Sequence, residues 1–123
     1  VPCLCGTVKF YQMGKGILVV ADLCGLPQSE SGIFALHIHE GASCREPGGH
    51  FNPQNVPHPC HEGDLPPLFS CRGKAFLAVL TDRFTIPQIR GKTVVIHSGP
   101  DDFTTQPSGN PGSRLACGVI GCC

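Results

Sequence analysis

Along the chain, short apolar runs alternate with turn-forming stretches. The runs are Thr7–Gln12, Ile17–Leu23, Phe34–His39, Ala75–Leu80, Thr93–His97 and Leu115–Ile120; MGKG, GLPQSESG, TDRFTIPQIRGK and PSGNPG stand between them. Successive side chains on a strand point to opposite faces, so short β-branched runs bounded by Gly and Pro predict strands. No segment keeps a helical apolar period for ten residues without Gly or Pro interrupting it. The pattern predicts an all-β sandwich or barrel.

Two segments depart from it. Glu40 to Pro67 and Ser98 to Ser113 hold no convincing strand. Structureless connections longer than about 15 residues inside a compact domain usually carry function. The first contains CREPGGHFNP and HPCHEGD, which are not linker compositions. In FALHIHEGASC, just before the first of them, Phe34, Leu36 and Ile38 fall on one face of a strand and His37 and His39 on the other. Side chains two apart on a strand stand roughly 6.5 Å from each other, so both imidazoles can reach one ion.

Composition narrows the function classes. The length, 123 residues, predicts a single domain over residues 1–123 with a real core. Nine basic and nine acidic residues balance, so no basic stripe addresses nucleic acid. The longest apolar runs, such as GILVVA, are too short to span a bilayer as a helix. The chain opens at Val1 with no visible signal peptide, as expected of a mature or excised form. Nine cysteines favour an oxidising compartment, so an extracytoplasmic or secreted location is expected, with the cytoplasm as the alternative.

All six histidines are His37, His39, His50, His58, His61 and His97; five lie in or beside the first long connection and the sixth opens the second. His58, His61 and Asp64 step by three residues, giving two imidazoles and a carboxylate suited to zinc, which takes four ligands in a structural site. His37, His39 and His97 form a second set, all nitrogen, suited to copper(II). Each set is one donor short, and His50 remains. An imidazole has two ring nitrogens, so one His50 can complete both sites as a bridge.

The motifs HIHEG (37 to 41), GGHFNP (48 to 53), HEGD (61 to 64), VVIHSGPDD (94 to 102) and GNPGSRLACGVIG (109 to 121) together resemble copper/zinc superoxide dismutase, from about Gly6 to Gly121. The resemblance implies a Greek-key β-barrel or sandwich (immunoglobulin-like) with a metal-binding loop and an electrostatic loop. It implies copper on His37, His39, His50 and His97, and zinc on His50, His58, His61 and Asp64. It makes Asp101 the outer carboxylate joining His37 to His58, and Arg114 the guide for the substrate anion. It pairs Cys44 with Cys117 in a disulfide. The implied reaction is the disproportionation of superoxide to dioxygen and hydrogen peroxide, with His50 passing a proton.

The chain also departs from that family. Between TVKFYQMGKG and HIHEG there is room for about one strand fewer, which predicts about seven strands, a newly exposed sheet edge and altered dimer contacts; monomer and homodimer both stay open. The loop SGPDDFTTQPSGNPGS lacks the Glu and Lys the family commonly displays there, leaving Arg114 as the main local attraction. Seven further cysteines stand outside the implied pair: Cys3, Cys5, Cys24, Cys60, Cys71, Cys122 and Cys123. The terminal ones are candidates for a disulfide joining Cys3 or Cys5 to Cys122 or Cys123, or for an extra copper-loading site. Two rival functions fit parts of the pattern: a zinc hydrolase or hydratase using His37 and His39, and a copper-carrying domain without catalysis.

Overall fold

The computed structural model of the protein describes residues 4–121. Its strands are β1 (Cys5–Met13), β2 (Gly16–Cys24), β3 (Ile33–Phe34), β4 (Leu36–His39), β5 (Leu68–Cys71), β6 (Lys74–Thr81), β7 (Thr93–His97) and β8 (Arg114–Val119), with a single-turn helix, α1 (Ile86–Ile89). They form two antiparallel sheets, one in the order β1-β2-β6-β5-β3 and the other β4-β7-β8. All-β architecture is what the apolar pattern predicted. Only Ala35 separates β3 from β4, so eight assigned strands correspond to seven continuous runs.

Three details differ from expectation. Leu68–Cys71 is a strand, made by the tight hairpin to β6 in which Arg72 (φ 54) and Gly73 (φ 77) both take the left-handed conformation of a type I′ turn. The stretch TDRFTIPQIRGK, read as a turn, holds α1. There the Thr85 hydroxyl accepts from Gln88 N and the Gln88 side chain accepts from Thr85 N, while Pro87 sits in the first turn, where its missing N–H costs nothing. The shortened N-terminal half exposes no new edge between its strands, because β2 pairs directly with β6 from Ile17↔Thr81 to Leu23↔Ala75.

The inner faces of the sheets meet in one core. From β2 come Ile17, Val19, Ala21 and Leu23, from β4 Leu36 and Ile38, and Phe34, Leu68 and Ile96 pack among them. A side chain buried as fully as Phe34 or Ile38 contributes about 1.5–3 kcal/mol. Alternation then dictates what leaves the core. On β4, His37 and His39 must face away from it, opposite Val95 and Thr93 of β7. Cys117 lies opposite Val95 on β8, on that same outer face.

Candidate metal centre

His37 and His39 face outward and are still buried, at 0% and 5% exposure. The long loop after β4 folds back over them. Ile38 N donates to Gly63 O (2.8 Å), Phe51 N to Ile38 O (2.8 Å) and Gly63 N to Phe51 O (2.9 Å), so the loop adds itself to the free side of β4. These bonds set His39 opposite His50 and His37 opposite Asp64. Only glycine fits at 63, since a Cβ there would lie 2.3 Å from Ile38 O. The loop is pinned to β8 by the Cys44–Cys117 disulfide, with Cα atoms 5.7 Å apart and a sequence separation of 73.

His97 ends β7 at a bulge. Ile96 pairs with Ala116 but His97 pairs with Arg114, so Leu115 is the extra residue that swings Arg114 beside His97. The second long loop then crosses above the first, and its Asp101 joins the two. The Asp101 carboxylate accepts from His37 Nε2 and from His58 Nε2, each at 2.7 Å. Gly109 (φ +82) closes over this junction; a Cβ there would lie 1.9 Å from Asp101 Oδ1.

All six histidines, Asp64 and Asp101 are thereby buried together. Ligand-capable atoms of His37, His50, His58 and Asp64 lie within 4.8 Å of one another, as do those of His37, His39 and His97. His61 stands just outside the first group, its Nδ1 3.1 Å from His50 Nδ1 and 3.2 Å from Asp64. His50 stands outside the second, its ring centre 4.9 Å from that of His39.

Hydrogen bonds assign the ring nitrogens. His37 uses Nε2 on Asp101, His39 uses Nδ1 on Gly48 O (2.8 Å), His97 uses Nδ1 on Gly112 O (3.2 Å), and His50 Nδ1 is 2.8 Å from Asp64. What remains is a set of lone pairs. His37 Nδ1 and His50 Nε2 are buried with no hydrogen-bond partner, His58 Nδ1 is buried with only the Asp64 carboxylate beside it at 3.1 Å, and His39 Nε2 faces His97 Nε2 at 3.4 Å. A buried polar atom left unpaired costs about 1–3 kcal/mol, so this concentration calls for a ligand. Neutral nitrogens with one carboxylate are a donor set for zinc or copper. The residues fit the two metals.

Burial disfavours protonation of four of these imidazoles, His37, His39, His61 and His97. Burial, aided by the neighbouring His50, pushes the His37 imidazole from 6.5 down to about 3. Burial likewise takes His39 to about 4 and lowers His61 and His97. For Asp64 burial alone would raise the carboxyl, but the hydrogen bond and charge of His50, with His58 and His61, hold it below its ordinary range. Asp101 is held down against burial by its bonds from His58 and His37 and by the Phe103 N–H.

Arg114 lies at the mouth of an open cleft of about 530 Å³ lined by His39, His50, His61, His97 and the loop backbone. It is the one cationic side chain among the lining residues. Asp102, beside Asp101, is an exposed carboxylate bonded within its own loop to Thr104 and Thr105. Cys60 is exposed although the histidines flanking it are buried, and Cys71 is exposed as well. Cys24 Sγ lies 2.8 Å from Cys5 Sγ across the β1–β2 pair. The expected terminal pairing involves Cys3, Cys122 and Cys123, which lie outside the described residues.

Sequence reasoning missed two side chains that grip the loop from outside. One Arg83 Nη1 points at three carbonyls of the His58–Asp64 segment: Pro59 O (2.9 Å), His61 O (3.3 Å) and Asp64 O (3.4 Å). Gln106 pairs with the His58 backbone as a strand would, accepting from His58 N (2.9 Å) and donating to His58 O (2.7 Å). Both act on backbone, so no pattern of ligand-type residues signals them.

Comparison with known proteins agrees with this geometry. A family model for copper/zinc superoxide dismutase matches residues 4–120. A Legionella pneumophila protein named superoxide dismutase [Cu-Zn] is 36% identical over 97% of this chain and 79% of its own length. Mouse extracellular superoxide dismutase [Cu-Zn] is 35% identical over 98% of this chain, which spans 54% of that protein. The crystal structure of a double mutant of a SOD-like protein from Bacillus subtilis superposes with a TM-score of 0.82 at 29% identity, over 94% of this chain and 88% of the other. With motif, fold and comparison converging over nearly the whole described length, the chain belongs to the copper/zinc superoxide dismutase family.

Proposed function

We propose that residues 1–123 form one catalytic domain that disproportionates superoxide, two anions and two protons giving one dioxygen and one hydrogen peroxide. The supporting observation is His50. Its Nδ1 is engaged by Asp64 and His61, while its Nε2 is buried with no partner. A ring placed so serves two centres. His37, His39, His50 and His97 are the copper set; His50, His58, His61 and Asp64 are the zinc set. Copper supplies one-electron redox chemistry, and zinc a fixed charge without redox chemistry.

The chain's own residues do the rest. Arg114 draws the anion into the cleft and orients it with a planar, cationic fork of donors. The Nε2 of His50 holds a proton and hands it to the reduced oxygen species, which leaves as peroxide. Asp101 fixes the ring orientation of His37 and His58 together, so that neither set can tilt without the other. Burial keeps His37 and His39 neutral and available as ligands.

We also place the protein outside the cytoplasm, in keeping with its disulfide and with the extracellular mouse relative. The test is to load the protein with both metals, measure stoichiometry, and follow superoxide decay after pulse radiolysis. One copper and one zinc per chain, with decay far faster than buffer, is the expected result. Stoichiometric copper without turnover would leave a carrier; zinc in both sets would leave a hydrolase or hydratase.

A further inference from the structure

The two long loops roof the outer face of β4-β7-β8 and leave that of β1-β2-β6-β5 bare, so that Phe76 on it is 67% exposed. Two cysteines stand together on this bare face, and the metal centre uses neither. Ile17, Val19, Ala21 and Leu23 point into the core, so alternation puts Cys24 on the outward side of β2. Cys5 is the residue directly opposite it on β1. Their sulfurs lie 2.8 Å apart.

Sulfurs in van der Waals contact stand well beyond that distance, while a disulfide bond is about 2.05 Å long. Directly opposed residues of an antiparallel pair have Cα atoms about 4.5–5.5 Å apart, inside the roughly 4.4–6.8 Å that a disulfide bridges. Bond formation therefore needs a small rotation of two side chains and no movement of the strands. The backbone is already drawn together beside the pair, where Gly6 (φ +144) approaches β2 so closely that a Cβ on it would collide with Asp22 O. Cys71, on the same face, is too far away to compete. Its opposed residue is Lys74, which stands beside Cys24 when the Leu23↔Ala75 register is carried one residue on. Two strand spacings of about 4.8 Å thus separate Cys71 from Cys24.

The location gives such a bond a use. β1 is the last strand of its sheet and pairs with β2 alone. Its first residues, Leu4, Cys5 and Gly6, line a cavity of about 220 Å³ that separates them from Ala116, Cys117 and Gly118 of β8. A strand end held from one side is among the first parts of a fold to fray.

We propose that Cys5 and Cys24 are a peroxide-reactive pair, converted by hydrogen peroxide into a second intrachain disulfide that staples the start of β1 to the end of β2. One thiolate attacks peroxide and breaks its O–O bond, becoming a sulfenic acid as hydroxide leaves. The other thiolate attacks that sulfur, the S–S bond forms, and a second hydroxide leaves. The two thiol protons turn both hydroxides into water; the sulfurs lose two electrons and the peroxide gains two. Cys5 is exposed and Cys24 half-buried, so peroxide reaches the pair from solvent. The step takes peroxide from any source and stands apart from the reaction proposed above.

The test uses the full chain carrying copper and zinc. It is treated with a mild thiol reductant, exposed to added hydrogen peroxide, alkylated, and digested with trypsin and Glu-C without further reduction. Peroxide is expected to join the peptide of residues 1–9 to that of residues 16–30, with fragmentation placing the bond at Cys5 and Cys24. The joined species is expected to persist in Cys3→Ser and to be absent from Cys24→Ser. Amide exchange at Gly6–Val8 is expected to slow by about 10-fold or more on oxidation of the wild type, and not in Cys24→Ser. Recovery of both thiols alkylated after peroxide overturns the proposal, as does a bond from either one to Cys3, Cys122 or Cys123. Exchange over β1 that oxidation leaves unchanged overturns the staple.

Discussion

β2 and β4 obey the same alternation and meet opposite fates. On β2 the inward Ile17, Val19 and Ala21 are buried, and the outward Leu18, Val20 and Asp22 are half-buried or open to solvent. On β4 every residue is buried, the polar ones included. The difference lies in the connections beside each strand. A two-residue turn with Gly14 at φ 61 leads from β1 into β2 and leaves nothing to cover the face. After β4 comes the loop that hydrogen-bonds back onto it and is tethered by Cys44–Cys117. A strand's pattern decides which face is polar, and the connection decides whether that face is wet.

The contrast predicts that the loop-covered sheet is where function breaks. His50→Ala is expected to cut superoxide turnover by about 10²–10⁴-fold, the usual worth of a positioned proton donor, while Phe76→Thr on the bare sheet leaves turnover per chain unchanged. Loss of equal size in both variants would erase the distinction.

Acid is the next lever. In the metal-free fold His37 and His39 resist protonation until about pH 3 and 4, whereas in the unfolded chain they titrate near 6.5. The unfolded chain thus binds more protons between those values. The stability this gives is complete above pH 6.5 and falls as pH drops, by about 1.4 kcal/mol per pH unit for each such histidine. The lowered carboxyls of Asp64 and Asp101 extend the loss below their ordinary 3.8. Denaturant midpoints of the apoprotein at several pH values check this; a midpoint flat from pH 7 to 4 contradicts it.

Cys117→Ser is expected to lower stability by about 2–5 kcal/mol, since it releases a loop spanning 73 residues. Hydrogen exchange should rise over Glu40–Pro67 more than over β1-β2-β6; uniform exchange would mean that the tether serves both sheets alike. Asp101→Asn removes the charge shared by His37 and His58 and is expected to weaken zinc retention against a chelator by about 10- to 100-fold. The smallest effects belong to Arg83→Met and Gln106→Ala. Each removes hydrogen bonds worth about 1 kcal/mol apiece from the loop backbone, so zinc should leave faster with little change in the melting of the apoprotein. Faster loss of copper alone would show that these side chains grip something else.

Much of the centre was legible because metal ligation depends on residue type. His37 and His39 announced themselves by alternation, and His58, His61 and Asp64 by a common step of three. The family resemblance brought in Asp101, Arg114 and the Cys44–Cys117 pair, which spacing alone did not reveal. Arg83 and Gln106 stayed hidden because they bind carbonyls and amides, which every residue carries. The β5 strand stayed hidden because four residues are too few to show a period. The missing strand was visible as a short stretch of chain, but the direct pairing of β2 with β6 was not.

The sequence by itself determined most of the strands, which face of each is apolar, and which side chains are chemically able to hold copper and zinc; these depend on local period and on functional groups. Only the tertiary structure decided that β2 closes onto β6, that a bulge at Leu115 turns Arg114 toward His97, and that Arg83 holds the carbonyls of Pro59, His61 and Asp64. Those depend on distances between residues far apart in the chain, and such distances are set by packing, which no local pattern encodes.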